Sequence, residues 1–195
     1  MRFLRELAAV VATSLVLGGL TSPAQMLLPD ALRPFANSSS GWTLLTALVI
    51  VVACRSGTAA AAALGATSFV ALLIGYQAVS ALRGFPDSEE LFTVIAVVVG
   101  PFVGVAASWL RASGRRAALG VAVMAGIGVG DGANGLLRLV PTTGWVYWTL
   151  IGVIALALLA VIAVRRLRAP ADRMLAIAGT VAVAVAYVGV FSVLS

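Results

Sequence analysis

Residues 41–55 read GWTLLTALVIVVACR. Positions 42–53 form an apolar run that stops at Arg55. A helix needs about 20 apolar residues to cover the hydrocarbon core of a bilayer. This run is too short alone, and whether it crosses sets the direction of every later segment. Six other apolar segments approach spanning length, at positions 4–20, 58–82, 91–110, 117–137, 145–164 and 174–194. Arginine placement separates the two topologies. If all seven segments cross from an inside N-terminus, ten arginines lie inside (2, 5, 55, 111, 115, 116, 165, 166, 168 and 173) and three outside (33, 83 and 138). If 42–53 turns back, only Arg2, Arg5, Arg83 and Arg138 stay inside and nine lie outside. Short cytoplasmic loops carry the excess of arginine, so the first arrangement is expected. Residues 37–41 can lengthen the short helix, with Asn37 or a serine capping its first turn.

Composition agrees. The 195-residue chain is 62% hydrophobic and 10% charged, against about a quarter charged in soluble domains. So few polar side chains could not cover a soluble protein of this size. The expected fold is all-α: a polytopic transmembrane bundle of about seven helices, N-terminus inside and C-terminus outside, in a bacterial plasma membrane. No polar stretch is long enough for a second domain, so 1–195 is read as one integral membrane domain. The start of the chain imitates a signal peptide, but its apolar run is long enough to span and is read as the first transmembrane helix.

The net charge of +6 comes from thirteen arginines with no lysine or histidine. They sit between apolar runs rather than on one surface, so no nucleic-acid partner is expected. Arg165, Arg166, Arg168 and Arg173 read as a cytoplasmic stop signal in contact with anionic lipid. The absence of histidine removes the commonest acid–base group and metal ligand. Cys54 is the single cysteine, so there is no internal disulfide or cysteine metal cluster. No cofactor or metal is expected.

Polar residues inside spans face the bundle interior or a water-filled cavity. Asp131, Asn134 and Arg138 are spaced i, i+3, i+7 and share a helix face. Tyr76, Ser80 and Arg83 form a second stripe, with Gln77 beside them. The first outer loop adds Gln25, Asp30, Arg33 and Asn37, and the second adds Asp87, Glu89 and Glu90. The expected ligand-binding set is Asp131, Asn134, Arg138, Tyr76, Gln77, Ser80, Arg83, Gln25 and Asn37, at the outer end. Taken singly, the arginines read as snorkelling side chains and the acids as a solvated loop. Asp131 stands about two turns inside its helix, where a carboxylate must be paired or protonated. Arg138 and Arg83 are its candidate partners.

Gly130 to Gly135 contain a formal G-x-G-x-x-G. That motif needs a strand before it and a helix after it, and here it lies within a span. Gly126 with Gly130, and Gly128 with Gly132, read instead as small-residue packing pairs. The alternative is a locally unwound segment that offers its backbone to a ligand. Gly100-Pro101 is expected to kink the fourth span. Trp42, Trp145, Tyr147 and Trp148, with Trp109 at the opposite end, read as the aromatic belt.

The stretches Ser22-Pro23-Ala24-Gln25, Leu28-Pro29, Ala36-Asn37-Ser38 and Gly41-Trp42, with Gly75-Tyr76 and Gly100-Pro101, resemble an uncharacterised family of small polytopic membrane proteins from GC-rich bacteria. That resemblance covers most of the chain and implies no activity. The length, the helix number and Ala8-Ala9-Val10-Val11-Ala12 resemble, in architecture alone, the substrate-binding S components of energy-coupling-factor transporters. This second resemblance implies an outward-facing pocket and an alanine face for a membrane-protein partner; the seventh helix departs from it. Three functions follow as expectations. The chain is a small-solute transporter or its binding subunit, an intramembrane enzyme acting on a lipid or isoprenoid in a terpene-cyclase-like way with Asp131 as its acid, or a structural or assembly subunit. The missing residue types argue against the enzyme.

Overall fold

The structure is a computed structural model that describes residues 1–85 and 90–194. Asp87, Glu89 and the side chain of Glu90 lie outside the described residues, and with them the expected second outer loop. Among the described residues there is no strand. The helices are α1 Arg2–Leu27, α2 Ser39–Ala53, α3 Thr58–Leu82, α4 Glu90–Trp109, α5 Arg115–Arg138, the single turn α6 Val140–Thr143, α7 Val146–Arg166 and α8 Pro170–Leu194. A 3-10 turn, Arg33–Asn37, precedes α2. All of these but α2 and α6 are long and apolar enough to cross a membrane, six helices in all. The all-helical, membrane-type bundle expected from the sequence is what the chain forms.

Two boundaries differ from expectation. α1 continues through Pro23 to Leu27, well past the predicted end near residue 20. Proline removes only one bond from the helical ladder, and the flanking turns carry the helix on. α2 begins at Ser39, because the backbone of residues 33–37 is wound into the 3-10 turn with Pro34 in its first turn. Asn37 is exposed and does not cap α2.

The helices form two compact units, residues 1–28 with 41–108, and residues 29–40 with 109–195. In the first unit α1 and α3 are parallel. Ser14 meets Ser68 at 2.8 Å and Ser22 meets Ser80 at 2.9 Å. Between these pairs the backbones touch at glycines: a Cβ on Gly18 would run into the backbone of Leu72, and one on Gly75 into that of Leu15. Two parallel helices adjacent in sequence need a return path, and α2 supplies it. At its start Trp42 packs on Tyr76, with ring centroids 5.7 Å apart. Just past its end the Arg55 N–H donates to Glu6 at 3.1 Å. α4 lies antiparallel to α3, with Gly100 against Ala66 and Gly104 against Ala61. Arg2, Arg5 and Arg55 gather at one end of this unit and Arg83 stands at the other.

In the second unit α5 is the central helix. Gly126 and Gly130 lie on Val183 and Tyr187 of α8, and Gly128 and Gly132 on Ala155 and Trp148 of α7. The two small-residue pairs thus serve two neighbours, α8 parallel and α7 antiparallel. α5 is helical through every glycine, so the unwound alternative is not what the chain adopts. The Gly114 N–H donates to the Arg166 carbonyl at 3.1 Å, and Arg166 Nη1 donates to the Arg111 carbonyl at 2.8 Å. The 111–116 and 165–173 arginines therefore share one end of the unit. Arg138 stands at the opposite end.

Candidate functional site

The polar centre of the second unit is Asp131, 4% exposed. Seven residues separate it from Arg138 at the end of α5, a rise of about 10 Å. The Tyr187 hydroxyl donates to its Oδ1 at 2.8 Å. Its Oδ2 accepts the Ser40 backbone N–H at 3.0 Å and the Ser40 hydroxyl at 2.5 Å. The hydroxyls continue outward. Ser40 Oγ lies 2.9 Å from the Tyr147 hydroxyl, and Ser38 Oγ lies 2.5 Å from it. Asp131, Ser38, Ser40, Tyr147 and Tyr187 thus form one connected network drawn from α5, α7, α8 and the start of α2.

The local reason is the first turn of α2. The leading N–H groups of a helix have no partner inside it, and Ser40 is the second residue of α2. An acceptor there is stabilised both by the N–H and by the positive end of the helix. Asp131 fills that position from a distant part of the chain. This is a structural use of the carboxylate, and it corrects the expectation of an arginine partner. Arg138 is exposed and donates to the Phe191 carbonyl at 3.4 Å. Arg83 belongs to the first unit, where it donates to Ser22 at 2.8 Å and lies over the Phe85 ring.

Asn134, one turn from Asp131 on the same face, is 6% exposed, and its Oδ1 has no hydrogen-bond partner. Leaving a buried polar atom unpaired costs about 1–3 kcal/mol. The other expected residues fall in the first unit. Ser80 and Arg83 converge on Ser22, and the Gln25 amide reaches the Tyr76 hydroxyl at 3.5 Å, the limit of a hydrogen bond. Gln77 is half-buried beside Tyr76.

Sequence reasoning missed Tyr187 and Ser40 and assigned Tyr147 and Trp148 to the aromatic belt. Both are only 3% exposed. The Trp148 indole covers Gly135 and donates to Thr143 Oγ1 at 2.8 Å, so these rings are interior. Trp145 does face outward, at 61%. A signal was present in the chain: it has three tyrosines in all, and residues 38–40 are a run of serines. Buried hydroxyls look for acceptors, and Asp131 is one.

No solved structure matches the chain. Two uncharacterised proteins of Mycobacterium tuberculosis, from strains CDC 1551 / Oshkosh and ATCC 25618 / H37Rv, are each 36% identical to it over 81 residues. The match covers 41% of this chain and only 28% of each relative. The family of unknown function DUF6518 matches residues 1–195, as the likeness to a polytopic family without assigned activity led one to expect, and the chain belongs to that family.

Proposed function

We propose that this multi-pass protein binds and moves a small solute across the bacterial plasma membrane, as a transporter or as the binding subunit of one. Its site is the arginine-poor, extracytoplasmic end of the second unit, around Asn134 and the Asp131 network. The N-terminus lies inside and the C-terminus outside. The observation that carries the reading is the Asn134 amide oxygen, buried and unpartnered beside a carboxylate at membrane depth. Polar groups in that position mark solute pathways more often than passive packing. α2 begins beside Asp131, and a helix end turned toward a polar site is the device by which transporters hold a solute.

The test is thermal unfolding in lipid nanodiscs against small carboxylates, amino acids and sugars. A solute at about 100 times its Kd stabilises by about 2.7 kcal/mol. One class should stabilise the parent and not Asn134→Ala. If no class shifts the parent, the reading fails. Orientation is tested in a Cys54→Ser background: Ser88→Cys should react with an impermeant thiol reagent in intact cells, and Ala169→Cys should not. Labelling of both or neither would overturn the topology.

One observation favours a second reading, the assembly subunit: Asp131 is fully engaged as the cap of α2. Co-purification of a stoichiometric membrane partner, with no solute effect, would select it. The terpene-cyclase-like reading has no such observation behind it.

A further inference from the structure

We infer that the arginine-rich end of the second unit is a seat for the phosphodiester of an anionic phospholipid. The sequence alone shows basic residues in two places far apart in the chain. The fold joins them. Arg166 bridges to the carbonyl of Arg111, the Gly114 N–H returns to the carbonyl of Arg166, and Arg173 Nε donates to the Leu167 carbonyl at 2.9 Å. Leu167, 1% exposed, is anchored in the apolar cluster of Ala117, Ala118 and Ile162. The two turns are therefore one fixed rim.

Seven arginines belong to that rim, and six of them are exposed. Asp172 is its single acidic residue. The rim is strongly cationic, and Arg166 and Arg173 each tie it to the fold through a backbone carbonyl. Immediately below it the walls of α7 and α8 are apolar and open, with Val164 at 81%, Met174 at 68% and Ile177 at 52% exposed. An anionic head on the rim with acyl chains along these side chains satisfies both. A free anion would use the rim alone, so the ligand class is a phospholipid and not inorganic phosphate.

The experiment extracts the full chain from vesicles of equal parts phosphatidylcholine and phosphatidylglycerol and counts retained lipids by native mass spectrometry. Phosphatidylglycerol should be retained about tenfold or more over phosphatidylcholine. An arginine at an anionic surface contributes roughly a fivefold preference, so Arg165→Gln with Arg166→Gln and Arg168→Gln should abolish the selectivity. Arg2→Gln with Arg5→Gln, in the first unit, should leave it unchanged. Should the triple variant fail to insert, the parent in about 0.5 M salt gives the same reading, since the Debye length there is only a few ångströms. Equal retention of the two lipids by the parent, unchanged selectivity in high salt, or an equal loss in the first-unit control would overturn the site. Displacement of the lipid by inorganic phosphate would show an anion seat without lipid specificity, and that too would overturn it.

Discussion

α5 and α8 lie side by side in one unit and differ in almost everything else. α5 is the less apolar helix and is mostly buried, while α8 is more apolar and mostly open. The less apolar helix is the inner one, the reverse of a soluble protein. Lipid tails are as apolar as leucine, so burying an apolar side chain against protein gains little over leaving it in lipid. What brings a helix inside is close backbone approach and polar groups that need partners. α5 has both, in the glycines of 126–135 and in Asp131. α8 contributes chiefly the faces that α5 touches.

The comparison is broken most severely at the glycines. Gly135→Leu would drive a side chain into the Trp148 ring. Overpacking of this kind costs about 3 kcal/mol, and it should appear as loss of folded protein or a large drop in reversible unfolding free energy in mixed micelles. Gly189→Leu on α8 meets nothing within 4 Å and should stay within about 0.5 kcal/mol of the parent. Equal effects at the two glycines would mean that burial does not follow backbone approach.

Next is the carboxylate. Asp131→Leu strands the Tyr187 hydroxyl and the Ser40 N–H, at a cost of about 1–3 kcal/mol. Asp131→Asn keeps an acceptor and should lose less. A leucine variant more stable than the parent would show the network to be a burden carried for function. Smaller still is the Ser14 and Ser68 pair in the first unit. A double-mutant cycle with alanine should give about 0.6 kcal/mol, the average for such bonds in membranes. Smallest is Val185→Ala on the open side of α8, 67% exposed, which should change stability by less than about 0.5 kcal/mol.

The long helices were legible because their punctuation is local. α3 fills 58–82 as expected, between Gly57, at φ 71°, and the turn at Gly84. The arginine asymmetry is a count along the chain, and each unit by itself shows it. The pairing of α5 glycines with neighbours was also readable, since spacing fixes a helix face. The centre of the site was half readable: Asp131 and Asn134 stood out as polar residues in an apolar span. Their partners did not. Ser40 lies 91 residues from Asp131 and Tyr187 lies 56, and no periodicity links them. Arg138 drew attention as the nearest charge on the same face, but hydroxyls and a helix end meet the carboxylate's needs without it. The end of α1, expected near residue 20, was misplaced for a related reason. A proline is a strong local stop only where nothing else holds the helix, and α1 touches α3 on both sides of Pro23, through Ser22 before it and Gln25 at Tyr76 after it.

The cap that Asp131 places on α2 also has a timetable. Ser40 leaves the ribosome 91 residues ahead of its acceptor. At roughly 5–20 residues per second, that is an interval of several seconds. Through that interval the Ser40 N–H lacks its carboxylate acceptor. The contact closes only when α5 arrives. Mutations at Asp131 should be felt during biogenesis, as degradation of chains that never close this contact, before they are felt in the finished protein.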